Sequence, residues 1–264
     1  MARNNTVLKI LVALGYSSLI VVNYLANAIP IGGVTTGEAS DNLSNLFTPS
    51  GITFSIWGLI YLLLLGYTIY QFGIMQELAK PDKEKSNSSI RQYFIINSLA
   101  NISWIFAWHY GIIWLSVLMM IVLLVSLIKI ADIVNNQHLA GKDNFFIRLP
   151  FSVYYGWITV ATIANVTAFL VSIQWNGFGI SETVWTCLIL FIGLVIGVQR
   201  MNKDRNSAYG LVIVWAYSGI LLKHLSTSGF DGKYPYIIGT VLVCLIILLI
   251  FLGRILMMKR LDTN

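Results

Sequence analysis

Residues 111–131 read GIIWLSVLMMIVLLVSLIKIA, an apolar run whose only charge, Lys129, sits near its end. A helix crosses a bilayer core of about 30 Å with roughly 20 mainly apolar residues, and a lysine near the helix end can snorkel its stem to the interface. This stretch therefore reads as a membrane span. Seven more stretches meet the same test, at 8–29, 51–73, 92–109, 149–172, 182–199, 208–225 and 235–256. The fold class they predict is an all-α membrane protein of about eight transmembrane helices.

Composition agrees. Of 264 residues 57% are hydrophobic and 11% charged, against about 25% charged in a soluble domain. So little polar surface leaves most of the chain facing lipid or other helices. The net charge of +6 does not point to nucleic acid, because the basic residues lie in short patches between apolar runs. Arg3, Lys9, Lys80, Lys83, Lys85, Arg91, Lys129, Lys142, Arg148, Arg200, Lys203, Arg205, Arg254, Lys259 and Arg260 fall on one side of an eight-span reading. Lys223 and Lys233 fall on the other. The positive-inside rule then puts both termini in the cytoplasm, and dropping one internal span would move a basic cluster to the wrong side. The expected location is a cell membrane, taken as the plasma membrane of a bacterium.

The first span has a rival reading. Arg3 and Lys9 precede an apolar run ending in Ala26-Asn27-Ala28, similar to a signal peptidase site, and cleavage there would leave seven spans and an external N-terminus. The run is longer than a signal core of about 7–15 residues, and Tyr16, Asn23 and Asn27 share a helical face, as in a bundle helix. The segment 30–50, rich in Gly, Ser, Thr and Asn, reads as a long external loop. The segment 80–89 (KPDKEKSNSS) reads as a solvated cytoplasmic linker.

Polar residues deep in a bundle are costly and face other helices or a cavity. Three stripes carry them together with large aromatics: Phe54, Trp57 and Tyr61; Asn97, Asn101, Trp104 and Trp108; and Tyr154, Trp157, Ala161 and Asn165. Converging, they would wall a cavity suited to a flat, largely apolar ligand, with rings stacking on indoles and amides orienting polar edges. Simpler roles stand beside this one. Trp108, Trp114, Trp175 and Trp185 lie near span ends, where tryptophan anchors the interface. Asn97, Asn101 and Asn165 serve equally well as interhelical hydrogen-bonding groups.

Other features carry less. Cys187 and Cys244 sit in apolar runs as small hydrophobes. His109 and His224 lie at external span ends and His138 in a cytoplasmic loop, with no spacing for a metal. Gly193 and Gly197 form a GxxxG that permits close helix packing, and no dimer follows from it, although a homo-oligomer stays open. No acidic or basic residue occupies the middle of a span, which disfavours proton- or voltage-driven machinery. A sodium-coupled carrier using backbone carbonyls remains open.

Several of these residues recur in a known family. Pro49–Tyr61 (PSGITFSIWGLIY) holds a Trp-x-x-x-Tyr at Trp57 and Tyr61 behind Pro49; the third span holds Asn-x-x-Trp at Asn101 and Trp104; the fifth holds Trp157, Ala161, Thr162 and Asn165 behind Pro150. In order and spacing, roughly residues 5–172 resemble the translocator protein / tryptophan-rich sensory protein (TspO) family. The chain departs from it in three ways. Ser55 stands where the family has a proline, Pro150 lies farther ahead of Trp157, and the short turn before Trp114 weakens its match to the family's fourth-helix tryptophan. The family ends after five helices, so the chain divides into a TspO-like bundle, 1–172, and a three-helix extension, 173–264.

The resemblance implies a five-helix bundle with a pocket under the loop 30–50, which acts as its lid. It implies a pocket walled by Phe54, Trp57, Asn101, Trp104, Trp114, Trp157, Ala161 and Asn165. Family members bind porphyrins, sterols and aromatic drugs. The expected partners are thus the lipid bilayer and a hydrophobic small molecule of the porphyrin or sterol class, with a haem-like ligand possible, no obligatory cofactor and no nucleic acid. The function expected is a binding protein, sensor or transporter for a flat hydrophobic ligand. A small-solute carrier and a tetrapyrrole-modifying enzyme are the alternatives, and no catalytic residue is assigned.

Overall fold

The computed structural model describes residues 2–29, 31–73, 81–137, 139 and 141–262. Lys80 and His138 lie outside the described residues. Every regular element among those described is helical: α1 (Ala2–Ala28), α2 (Thr36–Asp41), α3 (Ile56–Tyr70), α4 (Pro81–His109), α5 (Ile113–Asn135), α6 (Gly141–Asp143), α7 (Leu149–Ser172), α8 (Glu182–Lys203), α9 (Ser207–Leu225) and α10 (Pro235–Asp262). A 3₁₀ turn, Gly51–Ser55, leads into α3, and a π-helical segment, Asn144–Arg148, joins α6 to α7. Pro150 sits in the first turn of α7, directly after the π-helical segment.

Among the described residues, seven helical stretches are long and apolar enough to cross a membrane. The eighth long helix, α4, is not among them, because it carries Asn97, Ser98 and Asn101, all completely buried. Its polar groups face neighbouring helices, so its composition understates its burial. The outer faces of the other helices are strongly apolar, with Leu14, Leu62 and Ile246 more than half exposed.

Helix contacts close a ring. α1 packs on α3 and α4, α4 on α5, α5 on α7, and α7 on α3. Polar contacts cross each seam of α1: Tyr16 Oη donates to Tyr61 O at 3.1 Å, and Asn23 Nδ2 to Asn101 Oδ1 at 2.8 Å. The polar face of α1 is thus engaged with α3 and α4. Outside the ring α9 lies on α7, α10 on α9, and α8 on α10. α9 approaches α7 closely at Gly156, where a Cβ would come within 2.9 Å of Tyr209 O and Val212 Cβ. The GxxxG is used inside the chain. Tyr217 Oη lies over Gly193 and donates to Leu190 O at 2.7 Å, while Ile213 packs on Gly197.

The segment 80–89 differs from the solvated linker expected of it. From Pro81 onward it is the first part of α4, and it buries Asn87. The reason is Arg91, which is almost completely buried and donates to Gln71 Oε1 (3.0 Å), Glu84 Oε1 (2.7 Å) and Asn5 Oδ1. A buried guanidinium needs this many partners, and a helical 84–91 supplies one from its own preceding turns. Burial opposes ionisation of Glu84, but the Arg91 and Asn5 hydrogen bonds and the Arg91 and Lys9 charges outweigh it and hold the carboxyl below its usual range. A second charged cluster joins ring to extension. Arg200 binds Asp132 (2.9 Å) and Asp204 (2.5 Å), and Arg148 donates to Asp204 O (2.7 Å). Burial raises the Asp204 carboxyl above its usual range despite Arg200.

Candidate functional site

The 3₁₀ turn 51–55 and the first turn of α3 carry Phe54 and Trp57 toward the ring interior, where α4 and α7 present their indoles. Trp57 is the centre of the cluster. Its ring centroid lies 5.4 Å from Tyr61, 5.8 Å from Tyr154, 6.2 Å from Trp157 and 6.4 Å from Trp104. Phe54 meets Trp157 edge-on at 5.8 Å, and Trp104 stacks on Trp108 at 5.8 Å. These offset and edge-to-face arrangements are the ones the aromatic quadrupole favours.

Beside this cluster lies a cavity of about 580 Å³, counted with its opening. Six of the residues expected in the site line it: Phe54, Trp57, Trp104, Trp157, Ala161 and Asn165. Two do not. Asn101 is fully buried beneath, accepting from Asn23 and donating to Tyr154 Oη at 3.2 Å, so it ties α1, α4 and α7 together. Trp114 is 57% exposed on the outside of α5, because the short turn at 110–112 starts α5 with that position facing away from the ring.

The asparagines act chiefly between helices. Asn97 Nδ2 donates to Ser126 Oγ at 2.8 Å, bridging α4 and α5. Of Asn97, Asn101 and Asn165, only Asn165 reaches the cavity, and it already accepts from Trp104 Nε1 (2.7 Å) and donates to Ser116 Oγ (2.8 Å). Trp157 Nε1 is buried with no partner among the described residues. Among the described residues, none that lines the cavity is ionisable.

Trp108, read above as an interface anchor, is instead buried and lines the cavity. Its place on the Asn101–Trp104 stripe was the available signal. Thr36, Ser40, Asn45, Thr48 and Pro49 from the external loop also line it, as do Met120, Val160, Ala164 and Ala168. Of these the sequence marked only Pro49, as part of the family motif and not as a lining residue; the small residues on α7 simply leave room.

The loop lies over this end of the ring and is tied down on two sides. Its short helix α2 starts with a capping box, with Glu38 N donating to Thr35 Oγ1 and Thr35 N to Glu38 Oε2. The Thr35 hydrogen bonds hold the Glu38 carboxyl below its usual range. On the α4 side, the His109 ring nitrogens lie 2.8 Å from Ile31 O and 3.1 Å from Thr36 Oγ1, and Trp108 Nε1 donates to Thr36 O at 3.4 Å. On the α9 side, His224 Nε2 donates to Leu46 O (2.9 Å), Ser50 N to Gly219 O (3.0 Å) and Trp215 Nε1 to Thr53 O (3.0 Å), while Lys223 pairs with Asp41 (3.1 Å). The strap 45–53 is therefore held by a helix of the C-terminal three. Replacing His224 with alanine removes a buried hydrogen bond worth about 1 kcal/mol. Amide exchange over residues 45–48 should accelerate about fivefold in hydrogen-exchange mass spectrometry, and an unchanged rate would show that the strap does not depend on it.

Fold and site define a multi-pass, all-helical membrane protein whose five-helix ring encloses an aromatic-walled cavity. A family model described as TSPO-like protein matches residues 9–254, and the chain belongs to that family. The match continues past residue 172 through α8 and α9 into α10, beyond the motifs that carry the sequence resemblance. No curated protein and no solved structure matches the chain.

Proposed function

We propose that this protein spans the membrane eight times with both termini in the cytoplasm, and that the ring cavity binds a porphyrin-like or other flat hydrophobic ligand as a binding protein, sensor or transporter. The observation that carries this reading is the meeting of Trp57, Trp104, Trp108 and Trp157 at one cavity with no ionisable lining residue among those described. The near-parallel indoles of Trp104 and Trp108 offer a stacking face to a conjugated ring, Trp157 stands edge-on to Trp57, and the unpartnered Trp157 Nε1 offers a donor. For the topology, α4 counts as the eighth span because Asn97 Nδ2 and both polar atoms of Asn101 hydrogen-bond to neighbouring helices inside the bundle. The Arg91 and Arg200 clusters then mark the cytoplasmic end, and the lid lies at the opposite one.

A cavity without a counter-charge disfavours buried carboxylates. Protoporphyrin should therefore bind with its acid groups toward the lid, and its dimethyl ester should bind at least as tightly as the free diacid. Quenching of intrinsic tryptophan fluorescence in maltoside micelles measures both. Absence of saturable quenching by either form would overturn the assignment of a porphyrin-class ligand, and a strong preference for the diacid would overturn the charge-free pocket.

A further inference from the structure

A second cavity lies outside the ring, between α7, α8 and the strap, with about 1010 Å³ counted with its wide opening. Its walls combine aliphatic side chains, Leu170 of α7 and Ile189 of α8, with two indoles, Trp175 and Trp185. The indoles are held in place. Trp185 Nε1 donates to Gly177 O at 2.8 Å, and Trp175 packs against Trp185 at 5.2 Å between centroids and 56° between planes. Glu182 stands three residues before Trp185 on α8, on the same face. It is the single charged residue among those lining the cavity. Asn45 lines both cavities, and its amide is spent within the strap on Leu43 O and Phe47 N. The strap is thus a partition between them.

We propose that this outer cavity is a binding site for amphiphilic organic cations. An alkylated ammonium group sits by the Glu182 carboxylate against the indole faces of Trp175 and Trp185, and its apolar body lies along Leu170 and Ile189. Indole faces attract cations through the ring quadrupole, most strongly where water is partly excluded. The carboxylate adds attraction of the same sign, and both repel an anion. The inner cavity has indole faces but no carboxylate among its described lining residues, so it lacks the second attraction.

The same chemistry could come from a choline lipid headgroup or from a free solute. Hexyltrimethylammonium and hexanesulfonate, an apolar chain with opposite charges, are the probes, and saturation-transfer NMR on the full chain in maltoside is the readout. The cation should bind and the sulfonate should not. Glu182→Gln should weaken the cation about fivefold, and Glu182→Lys should reverse the preference. Equal binding of the two probes, or a cation preference unaltered in both variants, would overturn the site. Nanodiscs of phosphatidylcholine and of an uncharged galactolipid separate the sources. Weaker probe binding confined to the choline discs identifies a lipid headgroup, and equal binding in both identifies a free solute. Trp57→Ala with Trp157→Ala alters the inner cavity alone, so cation binding should persist there whatever becomes of porphyrin binding.

Discussion

Trp57→Ala combined with Trp157→Ala is expected to weaken protoporphyrin binding about 30-fold, each aromatic contact contributing roughly 1 kcal/mol beyond its buried area. Trp57 touches four other rings, and Trp157 forms the facing wall edge-on to both Trp57 and Phe54. Removing both takes away the stacking face and a buried indole N–H that has no partner among the described residues. Each single variant should lose less, since the other wall remains. Trp114→Ala is the matched control, because its ring lies outside the cavity; it should bind as the parent does. Melting temperature in detergent, measured beside quenching, separates a lost site from a lost fold. Parent-like affinity in a folded double variant would remove the ring cavity as the binding site.

Gly156→Leu should cost about 1–3 kcal/mol or more of stability, the penalty for forcing volume into a packed seam. At this position α7 and α9 meet with no room for a side chain, and the nearest atom on the facing helix includes backbone, Tyr209 O, which cannot rotate away. The whole of α9 must shift. Because α9 also holds Leu46 O, Ser50 N and Thr53 O, the disturbance should extend to the strap. Two readouts are expected together: a lower midpoint in sodium dodecyl sulfate titration, and faster amide exchange over 45–53. Lower stability with a parent-like strap would show that α9 and the lid are independent.

Much of the bundle was readable in one dimension. Apolar runs marked seven of the long helices clearly, because lipid selects for apolar runs of fixed length, and marked α4 only weakly, because its buried asparagines lower its hydropathy. Helical spacing also marked the stripes that carry Phe54, Trp57, Trp104, Trp157, Ala161 and Asn165, since residues on one face share one environment. The same reasoning could not separate Trp108 from Trp114. Both lie near span ends, and the turn at 110–112 decides that one faces the ring and the other faces out. Nor could it separate the asparagines, because an amide that joins helices and one that meets a ligand obey the same periodicity. Arg91 shows the opposite failure: it reads as one more cytoplasmic charge, yet its partners Asn5, Gln71 and Glu84 come from three segments.

What the sequence by itself determined is an apolar, helical, membrane-spanning chain with polar–aromatic stripes and a family signature, because these depend on residue type and local period. The tertiary structure decided the closed ring, the cavity's actual walls and the grip of α9 on the lid. Those depend on which helices become neighbours. His224 and Leu46 are 178 residues apart in the chain, and Trp215 and Thr53 are 162 apart. No periodicity links such pairs; the packing of α9 on α7, permitted by the absent side chain at Gly156, brings them together.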